Sequence, residues 1–158
     1  MAVGSAALSS DVIGTEHPPL TVEVERGRLR AFAHSIDETD PVYLDLDAAR
    51  AAGHPDLPVP PTFLFGLGLG GGADDFGWLA GLGVDLRQVL HGEQGFTYHQ
   101  VAHAGDTLVL RPRIVDVFTK RGGALQFLVR ETQVSRPDET LVADMRMTIV
   151  VRPPTAPA

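Results

Sequence analysis

The chain contains no cysteine. Disulfide staples and thiolate metal sites are therefore excluded. It also lacks basic charge: 13 Lys and Arg stand against 20 Asp and Glu, a formal net charge of -7. A general nucleic-acid binder needs a basic face to neutralise phosphates, so that class is set aside, although a local patch for one phosphorylated ligand is not. No apolar run approaches the length of a membrane span. Residues 1–10 are small and apolar but have neither the basic start nor the long apolar core of a signal peptide. A cytoplasmic protein with no membrane or nucleic-acid partner is the expectation. There is no internal repeat.

The chain has 158 residues, of which 44% are hydrophobic. That is enough for one domain with a real core. The domain is placed over residues 13–152, between flexible ends at 1–12 and 153–158. In residues 25–36, Leu29, Phe32, Ala33 and Ile36 fall on one face of a short helix. Asp47 to Ala52 reads as one or two helical turns stopped by Gly53, and Pro55, Pro58, Pro60 and Pro61 keep the next stretch extended. An apolar helix dotted with Gly66, Gly68 and Gly70 is expected from Thr62 to about Gly70. Each of those glycines costs roughly 1 kcal/mol of helix propensity. Close approach of a sheet or a ligand to the helix backbone would offset that cost.

The second part of the chain reads as a meander. Strands are expected over Gly95 to Ala102, Thr107 to Thr119, 124–134 and Leu141 to Arg152. Pro112 suggests a bulge or an edge, and Gly122-Gly123 a hairpin turn. Leu125, Phe127 and Val129 share a face of the third strand. In the last strand, Leu141, Ala143, Met145, Met147, Ile149 and Val151 alternate with a mostly polar set, so one face is buried. A sheet with one apolar face and one apolar helix satisfy each other by packing together.

Four constellations bear on chemistry. Asp37 to Tyr43 places three carboxylates beside the Asp40-Pro41 turn: either a general base or an Asx-rich loop in which Asp40 caps a turn. His91 and Glu93, two apart, are expected on one side of a strand, with Gly92 letting the backbone bend. They form either an acid/base pair or, with Gln94, a structural polar network. His54, His99 and His103 lack metal-ligand spacing and read as surface or loop histidines. Gly70-Gly71-Gly72 is no phosphate-binding loop, since no Gly-Lys-Ser/Thr follows it, and reads as a helix end.

The order of these features is specific. Pro61-Thr62-Phe63 opens a glycine-rich helix, Gly70-Gly71-Gly72 ends it, Leu90-His91-Gly92-Glu93-Gln94 enters a strand, and Ala104-Gly105-Asp106 closes that strand. From about Ile13 to Arg152 the chain resembles the N-terminal half of the MaoC-like hydratases and dehydratases. That group includes stand-alone actinobacterial proteins similar to the accessory subunits of the mycolic-acid 3-hydroxyacyl dehydratase. The resemblance implies an α+β hot-dog fold, with an antiparallel sheet wrapped around a central glycine-rich helix. It implies acyl thioesters of coenzyme A or acyl carrier protein as ligands and reversible hydration of a trans-2-enoyl group. No metal or redox cofactor is implied.

Catalytic members of the family carry Gly-Asp-x-Asn-Pro-Leu-His. Aligned on Pro41, this chain has Glu38 at the Asp position, Asp40 at the Asn position and Tyr43 at the His position. A phenol of reference pKa about 10 is a poor substitute for an imidazole near 6.5. The resemblance is thus to the half that shapes the acyl tunnel. Glu38 and Tyr43 stand as degenerate dyad positions, with His91 and Glu93 as further catalytic candidates. Pro61, Thr62, Phe63, Gly66, Gly68, Gly70 and Gln94 are the expected substrate-binding residues, and Phe65, Phe76 and Trp78 are either tunnel wall or core. A homo- or heterodimer with a catalytic subunit is expected. An active homodimer and a non-catalytic thioester binder are the alternatives.

Overall fold

The computed structural model describes residues 8–69 and 76–152. Five antiparallel strands form one sheet: β1 (Leu20–Glu23), β2 (Val89–Tyr98), β3 (Thr107–Lys120), β4 (Leu125–Ser135) and β5 (Leu141–Val151), in the order β1-β3-β4-β5-β2. Four short helices precede or interrupt it: α1 (Arg26–Ser35), α2 (Leu46–Ala51), α3 (Phe63–Leu67) and α4 (Gly77–Gly81). This is the hot-dog arrangement, with β2 and the four-residue β1 at the two sheet edges.

Side-chain alternation sets the sheet's two faces. Along β5, Ala143, Met145, Met147, Ile149 and Val151 turn toward the helices, as the period-2 pattern requires. Paired residues share a side, so Leu128, Arg130, Thr132 and Val134 of β4 lie on that same face. Leu125, Phe127 and Val129 share the other face, where Phe127 stacks on Phe118 at 4.8 Å. The β3 bulge falls between Ile114 and Asp116, while Pro112 stays in register opposite Thr132. Gly122 and Gly123, both with positive φ (63° and 92°), make the β3–β4 turn.

The buried core divides in two. One cluster gathers Leu29, Ala49, Leu57, Phe63, Leu64, Leu67, Leu108 and Leu110 under α1 to α3. The other gathers Leu8, Leu79, Val84, Ile114, Leu128 and Ile149 under α4. Leu29 and Ala33 of α1 are fully buried, but Ile36 is 49% exposed, because the helix ends at Ser35 before its face returns. Ahead of β1, Leu8 is buried, its amide donates to Gln126 Oε1 (3.1 Å), and Ser10–Val12 forms a 3₁₀ turn.

The central helix is shorter than its glycine pattern suggests. It stops at Leu67, with Gly68 as its C-cap, and Gly70 and the Gly70-Gly71-Gly72 run lie outside the described residues. Adjacent glycine costs leave little to extend a helix past one packed turn. Thr62 at its N-terminus adopts a left-handed conformation (φ 72°), uncommon for a β-branched residue. Its amide donates to the Tyr98 hydroxyl at 2.9 Å, which fixes the helix entrance against β2.

Candidate functional site

The Glu38–Tyr43 loop is built by its own carboxylates. Glu38 Oε1 accepts from the amides of Thr39 and Asp40, each at 2.9 Å. Asp40 Oδ1 accepts from Val42 N at 3.0 Å and caps the 3₁₀ turn Pro41–Tyr43. Both carboxylates are thus committed to local turn geometry, the Asx-loop outcome. Tyr43 lines an outer pocket of about 370 Å³ whose walls include His54, Pro61, Leu64, Tyr98, His99 and Val101. Burial, then the negative charges of Glu38 and Asp40, push the Tyr43 hydroxyl above its ordinary pKa. It is a neutral phenol at physiological pH and no proton-accepting equivalent of histidine.

His54, His99 and His103 all lie outside the regular strands and helices, and two of them meet. His54 Nδ1 and His103 Nε2 are 3.0 Å apart at the pocket wall, although 49 positions separate them in sequence. Only one of two contacting ring nitrogens can donate. Burial, then the neighbouring His54, holds His103 below the usual imidazole range. Asp106 Oδ2 accepts from the His103 amide and from Arg136, each at 3.0 Å, and so anchors the β2–β3 loop beneath the pair. His99 pairs with Asp144 at 2.7 Å on the pocket rim. No sequence spacing signals the His54–His103 contact. Among the described residues no group of three His, Asp or Glu side chains is placed to hold a metal ion.

The His91–Gln94 segment differs from its expectation. The β2–β5 register shifts between His91 and Glu93: His91 pairs with Ile149, and Glu93 pairs with Thr148. Gly92 is the bulge residue, and the pair expected on one side of the strand is split between the two faces. Both are exposed, His91 packing on Phe65 with ring centroids 5.1 Å apart and Glu93 lying on the far face. No hydrogen bond joins the two among the described residues, so neither an acid/base pair nor a buried polar network forms here. Gln94, opposite Met147, does turn toward α3.

Two inner cavities lie between the helices and the sheet. One, of about 120 Å³, is lined by Phe65, Gly68, Gln94, Leu110, Arg130 and Met145 among others. The second, about 270 Å³, is lined by Trp78, Leu79, Leu86, Val89, His91 and Ile149. Phe65, Phe76 and Met147 are walls of both. Of the residues expected to bind substrate, Pro61 faces the outer pocket, and Gly68 and Gln94 face the smaller inner cavity. Phe63 is core, edge-on to Phe32 at 5.4 Å. A side chain on Gly66 would meet no atom within 4 Å, and Gly66 lines none of these cavities. Phe65, Phe76 and Trp78 are cavity walls.

Residues 11–145 match the family described as FAS1-like, dehydratase domain region. The chain belongs to the MaoC-like family of hot-dog dehydratases. It is 34% identical over 146 residues to a UPF0336 protein of Saccharopolyspora erythraea, with 92% of each chain covered. A UPF0336 protein of Streptomyces coelicolor is 36% identical over 120 residues, covering 73% of this chain and 77% of that one. Among solved structures, it is similar to a C-terminally truncated HadBC (3R-hydroxyacyl-ACP dehydratase) complex from Mycobacterium tuberculosis. That likeness has a TM-score of 0.74 at 24% identity and covers 89% of this chain and 98% of that one. The ChsH1-ChsH2 complex of the same organism follows at TM-score 0.69 and 25% identity, over 90% and 87% of the two chains. Both neighbours are complexes of named components. Among the described residues no helix is long and apolar enough to cross a membrane.

Proposed function

We propose that this chain is the acyl-binding subunit of an (R)-specific enoyl-thioester hydratase or 3-hydroxyacyl-thioester dehydratase, paired in the cytoplasm with a second hot-dog subunit that supplies the catalytic groups. The observation that carries this reading is the Glu38–Tyr43 loop. Its carboxylates are bound to their own backbone amides, and its phenol is held neutral. Hydration of an enoyl thioester requires a base to take a proton from water and an acid to deliver one to the α-carbon. Neither is assembled in that loop, while two cavities that share Phe65, Phe76 and Met147 as walls lie between the helices and the sheet.

The surface supports a paired assembly. β2 is a sheet edge whose outward backbone groups have no strand beside them among the described residues. Leu90, Tyr98 and Val101 on or next to it are 46%, 48% and 52% exposed. A second hot-dog unit laid along β2 would cover them and extend the sheet. In the reaction, the partner's carboxylate and imidazole activate water for addition to the β-carbon and return the proton to the α-carbon. This chain removes the acyl tail from water, a gain of about 0.8 kcal/mol per buried methylene, and so fixes the enoyl group against the partner's pair. Coenzyme A and acyl carrier protein are both suitable carriers, and no further cofactor is needed.

The test is a crotonyl-CoA hydration assay on the purified chain, alone and co-expressed with a neighbouring-gene product bearing Gly-Asp-x-Asn-Pro-Leu-His. Turnover is expected only from the complex, and Tyr43→Phe should leave it unchanged. Strong turnover by the isolated chain, abolished by Glu38→Ala, would overturn the reading.

A further inference from the structure

The smaller cavity has a mixed wall, apolar side chains alternating with Gln94, Thr132 and an arginine. Arg130 sits on the helix-facing side of β4, opposite Met147 of β5 and Ile114 of β3. Its guanidinium carbon lies 4.4 Å from the centroid of the Trp78 ring, and that ring in turn contacts His17 at 5.3 Å. Among the described residues no carboxylate lies within ion-pair distance of it; the pairs present are Arg26–Asp56, Arg87–Asp85, His99–Asp144, Arg136–Asp106 and Arg146–Glu131. Arg130 Nε is buried without a hydrogen-bond partner, and so is Trp78 Nε1. Burial alone pushes the guanidinium pKa down to about 10, so it stays charged at physiological pH.

Arg130 is partly buried, and a buried donor such as its Nε is costly unless something accepts from it. The Trp78 face offsets part of that cost but leaves Nε without an acceptor. Thr132 and Gln94 line the same cavity. An acyl group whose chain carries an anionic oxygen satisfies Arg130, since a carboxylate accepts from an arginine fork; Gln94 Nε2 already donates to the Gly95 carbonyl at 3.2 Å. The cavity of about 120 Å³ holds on the order of four water-sized groups and is walled by Phe65, Leu110, Met145 and Met147.

We infer that this cavity reads the acyl tail for a carboxylate, which Arg130 holds beside Thr132. The inference rests on the acyl-binding role proposed above. It makes the preferred substrate an acyl thioester with a negatively charged far end.

The experiment compares hexanoyl-CoA with adipoyl-CoA, which match in chain length and differ in a terminal carboxylate. Both are titrated calorimetrically into the full chain and into its complex with the catalytic partner. The native protein should bind adipoyl-CoA at least about ten-fold more tightly, the usual worth of a charged hydrogen-bonded contact. Arg130→Met should remove the preference while keeping the affinity for hexanoyl-CoA, and Arg130→Lys should retain part of it. The comparison on native protein stands even if a variant does not fold. Equal binding of the two thioesters, or a preference that survives Arg130→Met, overturns this inference alone and assigns Arg130 to packing on Trp78. Binding of neither overturns the acyl-binding role and the inference with it.

Discussion

His91 and Glu93 stand two positions apart on β2 and face opposite sides of the sheet. The cause is the bulge at Gly92, which inserts one unpaired residue and reverses the alternation. Its absent side chain is required there: a Cβ would lie 3.0 Å from Val150 Cγ2 and 3.2 Å from the Thr148 carbonyl oxygen. Gly92→Ala must therefore move β5 or undo the bulge. We expect a loss of about 1–3 kcal/mol, the usual range for overpacking, read as a lower denaturant midpoint. His91→Ala, which removes the contact with Phe65 and part of the larger cavity's wall without displacing β5, should cost less. A Gly92→Ala protein as stable as the parent would show that the bulge has room to spare.

A second prediction concerns acid. Asp56 accepts from Arg26 Nε at 3.0 Å and from the Leu57 amide at 2.7 Å, joining the start of α1 to the proline-rich approach to α3. The hydrogen bond from Arg26, with further help from the Leu57 amide, lowers its pKa to about 2. A carboxyl depressed on folding stabilises the protein above its unfolded pKa, near 4, and loses that contribution as pH falls through the folded value. Asp56→Asn should lower Tm modestly at neutral pH, since the pair is partly exposed and screened. The difference from the parent should shrink between about pH 4 and pH 2. A difference that is constant across this window would mean the pair adds nothing through its charge.

These two regions also mark how far the sequence can be read. The alternation from Ala143 to Val151 was legible because a strand with one dry face repeats every second residue; at Leu141 it fails, because the register against β4 shifts at Val134/Ser135 and leaves Val142 unpaired, so that Val142 and Ala143 are both buried. The Asp40 cap on the Pro41–Tyr43 turn was legible because an Asx turn is local. The sidedness of His91 and Glu93 was not, because it is set by the register against Thr148 and Ile149. An isolated strand glycine at position 92 is the one local sign of a bulge. The His54–His103 contact has no local sign at all. Arg130 reads in sequence as an ordinary polar residue among Val129, Glu131 and Thr132. Only the pairing with Met147 turns it inward.

The glycines of the central segment separate into two kinds, and this gives the last prediction. A Cβ on Gly68 would sit 3.4 Å from Leu110 Cδ2, at the wall of the smaller inner cavity, whereas one on Gly66 would meet nothing within 4 Å. Valine at 68 therefore places its methyl groups against Leu110 and narrows the cavity. Valine at 66 leaves the cavity as it is and removes a glycine from the interior of α3. In complex with the catalytic partner, Gly68→Val should slow a long enoyl thioester at least about ten-fold more than crotonyl-CoA, the discrimination that a few methylenes in an apolar pocket provide. Gly66→Val should leave that ratio unchanged. Overpacking at 68 costs about 1–3 kcal/mol in its own right, so the denaturant midpoint of each variant is measured beside its rates. If Gly68→Val stays folded and slows both substrates equally, the acyl chain does not pass this helix. If Gly66→Val alters the ratio instead, the chain runs along the outer face of α3, away from Leu110.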